Sequence, residues 1–113
     1  MAALAVTELC RDNFANKSQA AELGSLSLLI SQLSEGHVKS PGVQAEAAGA
    51  IWVLSDDHDA NKVSFGAKGG IAPMVALLAS ENVRAQKHAA YALASLARGN
   101  VDNQSAIASR LVE

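Results

Sequence analysis

A chain of 113 residues is long enough for one domain, and half of it is apolar with only four aromatic side chains. Eleven acidic against nine basic residues leave a formal charge of −2 and a pI near 5.9, without the basic stripe that would mark a nucleic-acid partner. The single cysteine, Cys10, excludes an internal disulfide and a cysteine-based zinc cluster and points to a reducing compartment, cytoplasmic or nuclear, while no apolar run approaches the ~20 residues of a membrane span.

Alanine fills 23 of 113 positions, which favours helices that approach one another closely, and β-branched runs are missing. The first stretch, Ala2-Ala3-Leu4-Ala5-Val6-Thr7-Glu8-Leu9, lacks a basic start and carries Glu8; it reads as the tail of a helix and not as a signal peptide. A polar loop, Arg11-Asp12-Asn13-Phe14-Ala15-Asn16, ends in an asparagine whose side-chain oxygen is expected to cap the next helix. A short amphipathic stretch containing Ala20 leads to a Gly24-Ser25 turn, where glycine fits a left-handed C-terminal cap. The run Leu26-Leu28-Leu29-Ile30-Leu33 forms the apolar core of a second helix, and a loop around Gly36-His37-Val38-Lys39-Ser40-Pro41-Gly42 carries the chain to a third.

That third helix repeats the opening frame: Ala47-Ala48-Gly49-Ala50-Ile51-Trp52-Val53-Leu54. The cycle then runs again. Asp56-Asp57-His58-Asp59-Ala60-Asn61 is the polar loop, Phe65 takes the place of Ala20, and Gly69-Gly70 makes the turn. Ile71-Met74-Val75-Leu77-Leu78 is the next second helix, with Pro73 in a first turn that tolerates it. Ala89-Ala90-Tyr91-Ala92-Leu93-Ala94-Ser95-Leu96 is the next third helix. The loop Arg98-Gly99-Asn100-Val101-Asp102-Asn103 and a stretch with Ile107 begin one more copy, in which Leu111 stands where the turn glycine is expected. The copies lie 45 and 42 residues apart, the longer one through an insertion in a surface loop. A period of this size is the signature of stacked helical units.

The unit of short helix, second helix and long third helix resembles the armadillo repeat. Val43-Gln44-Ala45-Glu46 through Leu54 is similar to that family's third-helix signature, and Gly69-Gly70-Ile71-Ala72-Pro73 through Leu78 to its second-helix signature. HEAT repeats are the alternative, but their units usually have two helices and lack the Gly-Gly-Ile-x-Pro turn. The resemblance spans essentially the whole chain and implies an all-α fold, a right-handed α-solenoid. Residues 1–10 would be the tail of one repeat, 16–55 and 61–97 whole repeats, and 103–113 the start of another. Neither end reads as capped, so the expectation is a segment of a longer array or a chain that associates end to end with its own copies.

A helical wheel puts Val43, Ala47, Ala50, Ile51 and Leu54 on one arc, and Ala85, Ala89, Ala92, Leu93 and Leu96 on the same arc one copy later. The other side carries Ala45, Glu46, Gly49, Trp52 and Val53, then Lys87, His88, Tyr91, Ala94 and Ser95, joined by Leu4, Thr7 and Glu8. In armadillo proteins third helices line a concave groove. The resemblance thus makes Glu8, Glu46, Gly49, Trp52, Val53, Lys87, His88, Tyr91 and Ser95 candidates for contact with a protein or peptide partner. Trp52 and Tyr91 would be the anchors, large amphipathic side chains of the kind that dominate interfaces; packing against a neighbouring repeat is the other reading for Trp52. The importin-alpha branch carries Trp and Asn four residues apart on successive third helices. Here the pairs are Leu4 with Glu8, Gly49 with Val53 and Tyr91 with Ser95, which gives nuclear-signal binding no support. Nor is there a basic groove of the beta-catenin kind, since Glu8 and Glu46 offset Lys87 and His88.

No motif calls for catalysis, a cofactor or a metal. Asp57, Asp59 and Asn61 match the first ligand positions of a calcium loop, but Lys62 stands where its glycine belongs and Lys68 where its bidentate Glu does. His37 and His88 lack partners at zinc-ligand spacing. Gly66-Ala67-Lys68-Gly69-Gly70 lacks the Walker spacing and the hydroxyl residue after Lys. Cys10 continues the core-facing edge of its helix as a small buried hydrophobe. The expectation is a non-enzymatic interaction scaffold, or a structural spacer within a repeat array.

Overall fold

A computed structural model describes residues 2–34 and 40–112. Among them, the chain forms α1 (Ala2–Cys10), α2 (Phe14–Glu22), α3 (Ser25–Leu33), α4 (Pro41–Ser55), α5 (Asp59–Ala67), α6 (Ile71–Ala76) with a 3-10 turn (Leu77–Ala79), α7 (Val83–Ala97) and α8 (Val101–Leu111). The fold is all-α, with no strand among the described residues. None of these helices is long and apolar enough to cross a membrane. The inserted loop with His37 lies outside the described residues.

The turns recur with the sequence period. Gly24 (φ 92°) and Gly69 (φ 79°) follow α2 and α5 in the left-handed region that glycine enters without steric penalty. At the next corner Asp12 (φ 55°), Asp57 (φ 51°) and Gly99 (φ 70°) turn the chain after α1, α4 and α7; Asp tolerates that conformation better than most residues. At Leu111, where the pattern anticipates a glycine turn, α8 simply continues to Val112 at its C-cap.

Helices of like position pack side by side. α4 lies between α1 and α7 and meets α7 most extensively; α5 lies between α2 and α8, and α3 meets α6. Three rows result: α1/α4/α7, α2/α5/α8 and α3/α6. The core between the rows holds Leu26, Leu29 and Leu33 of α3, Ile51 and Leu54 of α4, Phe65 of α5, Ile71 and Met74 of α6, and Leu93 and Leu96 of α7. Leu28, on the expected core run, faces outward.

Because α4 has neighbours on two sides, the single apolar arc of the wheel understates its burial. Ala45, expected on the outer side, has no exposure at all, while Val43, expected in the core, is only half-buried. Alanines at 45, 47, 48 and 50 suit this position, since they allow two flanking helices to come close.

The capping asparagines differ from the expectation. Asn16, Asn61 and Asn103 do not cap. The caps sit three residues earlier: Asn13, His58 and Asn100 accept from the backbone N–H groups of Asn16, Asn61 and Asn103 at 2.9, 3.1 and 2.8 Å. The later asparagines donate instead. Asn61 Nδ2 reaches the carbonyls of Leu54 (2.8 Å) and Lys17 (3.2 Å), and Asn103 Nδ2 those of Leu96 (2.9 Å) and Lys62 (3.0 Å). Each buried asparagine ties the end of a third-position helix and the previous first-position helix to its own. Asn16 makes only the first of these bonds, to Leu9 O at 2.6 Å.

The neighbouring lysines follow the same logic. Lys17 Nζ donates to Asp56 O at the C-cap of α4 (2.6 Å), and Lys62 Nζ to Arg98 O at the C-cap of α7 (2.8 Å). Both lysines are buried, and the negative end of a helix dipole together with an orphan carbonyl accommodates the charge. At the third such position the residue is Gln104, whose amide donates to Ala97 O at 2.9 Å.

Candidate functional site

The row α1/α4/α7 presents the largest assembly of candidate residues. A cavity of about 190 Å³ is lined by Leu4, Thr7, Glu8 and Arg11 of the α1 end, Glu46, Gly49, Trp52 and Val53 of α4, and Arg84 and His88 of α7. A smaller recess of about 140 Å³, formed by Arg11, Asp12, Lys17, Trp52, Val53 and Asp56, adjoins it through Arg11, Trp52 and Val53. Trp52 therefore stands at the junction of both.

The aromatic cluster comes from helix periodicity. Tyr91 lies at the position equivalent to Gly49 and Trp52 at that of Ala94, so the two rings meet across the α4–α7 seam without competing for one site. Their centroids are 4.9 Å apart at 39°, and His88 lies 6.4 Å from Trp52 at 40°. Such tilted arrangements are the favourable ones for aromatic pairs. Tyr91 remains 45% exposed and Trp52 is half-buried. Trp52 thus packs on the neighbouring helix, one of the two readings its sequence position allows, and also lines the cavity.

Gly49 explains how α7 comes so near. His88 Nδ1 donates to Ala45 O at 2.8 Å, one turn before Gly49, and a Cβ at Gly49 would lie 3.0 Å from that nitrogen. The missing side chain makes room for the imidazole. The rim is charged but balanced: Arg11 pairs with Glu8 (3.5 Å) and Arg84 with Glu46 (3.8 Å). A third pair, Arg98 with Asp56 at 3.7 Å, extends the rim along the C-terminal ends of α4 and α7. Exposed pairs of this kind add little stability and serve better as a polar border around an apolar floor.

The nine candidates do not all reach this surface. Glu8, Glu46, Gly49, Trp52, Val53 and His88 line the cavity, and Tyr91 flanks it. Lys87 is exposed on α7. Gly49 is covered by His88 and contributes shape rather than contact. Val53 retains 8% exposure and Ser95 only 1%; Ser95 Oγ accepts from Ser55 Oγ at 3.3 Å inside the α4–α7 seam. Ser95 departs from its expected outward position for the reason given for Ala45: a flanking helix covers a second arc. Arg11 and Arg84, which the wheel leaves out, belong to the rim because one stands just past the end of α1 and the other in the first turn of α7.

The remaining chemistry-bearing residues are engaged structurally. Among the described residues no group of three His, Cys, Asp or Glu is placed to hold a metal ion. His58, inside the acidic loop, has both ring nitrogens in hydrogen bonds, to Asn61 N and Ser18 Oγ. Cys10 is buried, and burial pushes its thiol above the ordinary value, an effect that Lys17 partly opposes. No protein-family model matches this chain, and no curated protein does either.

Proposed function

We propose that this chain is a non-enzymatic interaction module of the armadillo type, a right-handed α-solenoid that binds an extended peptide or a partner's helix along the α1/α4/α7 face. The observation that carries this reading is the Trp52–Tyr91 pair, 4.9 Å between centroids, beside a cavity with an apolar floor and a charge-balanced rim. Rigid aromatics at the centre of a concave surface, ringed by polar groups, are the usual anatomy of a binding hot spot. The sequence period and the two hydrogen-bonded asparagine links between like helices support the repeat assignment.

The test is selection of peptides from a random library on the immobilised chain, followed by titration against Trp52→Ala and Tyr91→Ala. Both variants are expected to lose at least roughly tenfold in affinity, the scale of one hot-spot side chain, with far-ultraviolet circular dichroism unchanged. Selected peptides that bind both variants as tightly as the parent would remove the groove assignment.

A second reading, assembly through the end surfaces, has its own observation. Leu9, Phe14 and Leu23 are exposed at the α1–α2 end, where a cavity of about 310 Å³ is bordered by Val6, Leu9, Ala20 and Leu23, and Val101, Leu111 and Val112 are exposed on α8. Sedimentation over a hundredfold concentration range separates the readings. Association abolished by Leu23→Asp would favour a spacer or assembly role, and a monomer that binds peptide favours the groove.

A further inference from the structure

Three loops of the chain lead into the helices of the α2/α5/α8 row, and two cap them with asparagine. Asn13 caps α2 and Asn100 caps α8, each through Oδ1. His58 holds the equivalent place before α5 and accepts from Asn61 N through Nδ1 at 3.1 Å. An amide oxygen accepts at any pH, whereas an imidazole nitrogen accepts only while it carries a lone pair. Because Nδ1 is committed as acceptor, the proton of the neutral ring sits on Nε2. That atom lies 2.7 Å from Ser18 Oγ on α2 and donates to it. The ring also stacks on Phe14, again on α2, with centroids 4.3 Å apart and planes 19° from parallel. His58 is buried, with 2% exposure.

We propose that His58 is an acid-sensitive latch between α2 and α5, closed while the imidazole is neutral and released when it gains a second proton. A proton on Nδ1 would point one N–H at another, that of Asn61, and so remove the cap of α5. It would also place a cation in a buried site next to Lys17, whose ammonium is held on Asp56 O at 2.6 Å. Asp59, in the first turn of α5, favours the cation, but its side chain is exposed and lies 3.9 Å from Lys62 Nζ. Asp56 and Asp57 precede the ring in the loop; the Asp56 carboxylate turns to Arg98 at 3.7 Å, and Asp57 is exposed. Burial, with Lys17 adding to it, outweighs Asp59 and a backbone hydrogen bond and holds His58 below its ordinary value near 6.5.

The direction of the linkage follows. An unfolded chain takes up the proton near pH 6.5 and the folded chain only at lower pH, so the contribution of His58 is complete above about 6.5 and lost as pH falls through the folded value. The loosened loop includes Asp56, which borders the recess beside Trp52, so release would also disturb one edge of the proposed groove.

The experiment compares thermal unfolding of the chain and of His58→Asn from pH 7.5 to 5. Asparagine copies the cap found at residues 13 and 100 and cannot titrate, while all other titrating groups are common to both proteins. The wild-type midpoint is expected to fall by roughly 4–8 °C more than that of the variant, the scale of one lost cap. Parallel curves would overturn the proposal. Nitrogen NMR of the wild-type ring decides the matter independently of how the variant folds. The Nε2–H tautomer with titration below 6.5 supports the latch, and an Nδ1–H tautomer or titration at or above 6.5 overturns it.

Discussion

At the scale of single residues, Asn61 and Asn103 do what their sequence neighbours cannot. Each side chain donates to two carbonyls on two other helices from a buried position, whereas Asn16 reaches one carbonyl. Removing a buried partner exposes the cost of unsatisfied groups, about 1–3 kcal/mol. Asn61→Ala is therefore expected to lower the urea-unfolding free energy by that amount, and Asn16→Ala by less than about 1 kcal/mol. Equal effects at both sites would contradict a role for Asn61 in joining helices. Cys10 gives a second residue-scale expectation. Its thiol is buried and its pKa raised by desolvation, so little thiolate is present at neutral pH. Labelling with a disulfide reagent at pH 7.5 should be slow in the folded chain and fast in urea; rapid labelling without denaturant would show that the thiol is not buried in solution.

At the scale of elements, the α4–α7 contact turns on Gly49. Glycine in a helix interior normally costs about 1 kcal/mol relative to alanine. Here a Cβ would press on His88, whose ring hydrogen-bonds Ala45 O. Gly49→Ala alone is expected to bring no net stabilisation, because the gain in helix propensity is offset by displacing the imidazole. In a His88→Ala background the same change should stabilise by about 0.5–1 kcal/mol. Urea denaturation of the four proteins of this cycle checks it; additive effects would mean that the two residues do not meet. Gly70 is more constrained, since a Cβ there would overlap the Phe65 ring at the centre of the core. Gly70→Ala should cost about 1–3 kcal/mol, as overpacking does, with a matching fall in the urea midpoint.

Across the whole molecule, burial is graded from the middle outward. α4 is enclosed by α1 and α7, while the outward faces of α2 and α8 carry Phe14, Leu23, Val101 and Leu111 in contact with solvent. A helix packed on one side only has fewer contacts to hold it, so such helices open before those enclosed on two sides. Hydrogen exchange is expected to be slowest in α4 and the adjoining half of α7, and fastest in α1 and α8. Greatest protection in α8 would mean that its exposed apolar face is covered in solution, and would favour assembly through the ends.

The all-helical fold was legible because it rests on local signals. Alanine-rich frames at 45 and 42 residues, glycines after short helices and apolar spacing each act within a few residues of chain. Most of the cavity lining was legible too: Leu4, Thr7, Glu8, Glu46, Gly49, Trp52, Val53 and His88 stand on the outer side that a wheel displays, with Tyr91 beside them. What the chain alone left open was decided by packing across it. A wheel assumes one buried face, and α4 has more than one, so Ala45 and Ser95 were covered by helices distant in sequence. Likewise every polar loop ends in an asparagine that could cap or donate. Caps form locally, three residues before these asparagines, but the approach of carbonyls 36–44 residues away, at Lys17, Asp56, Lys62 and Arg98, determined which buried polar side chains join one helix to another.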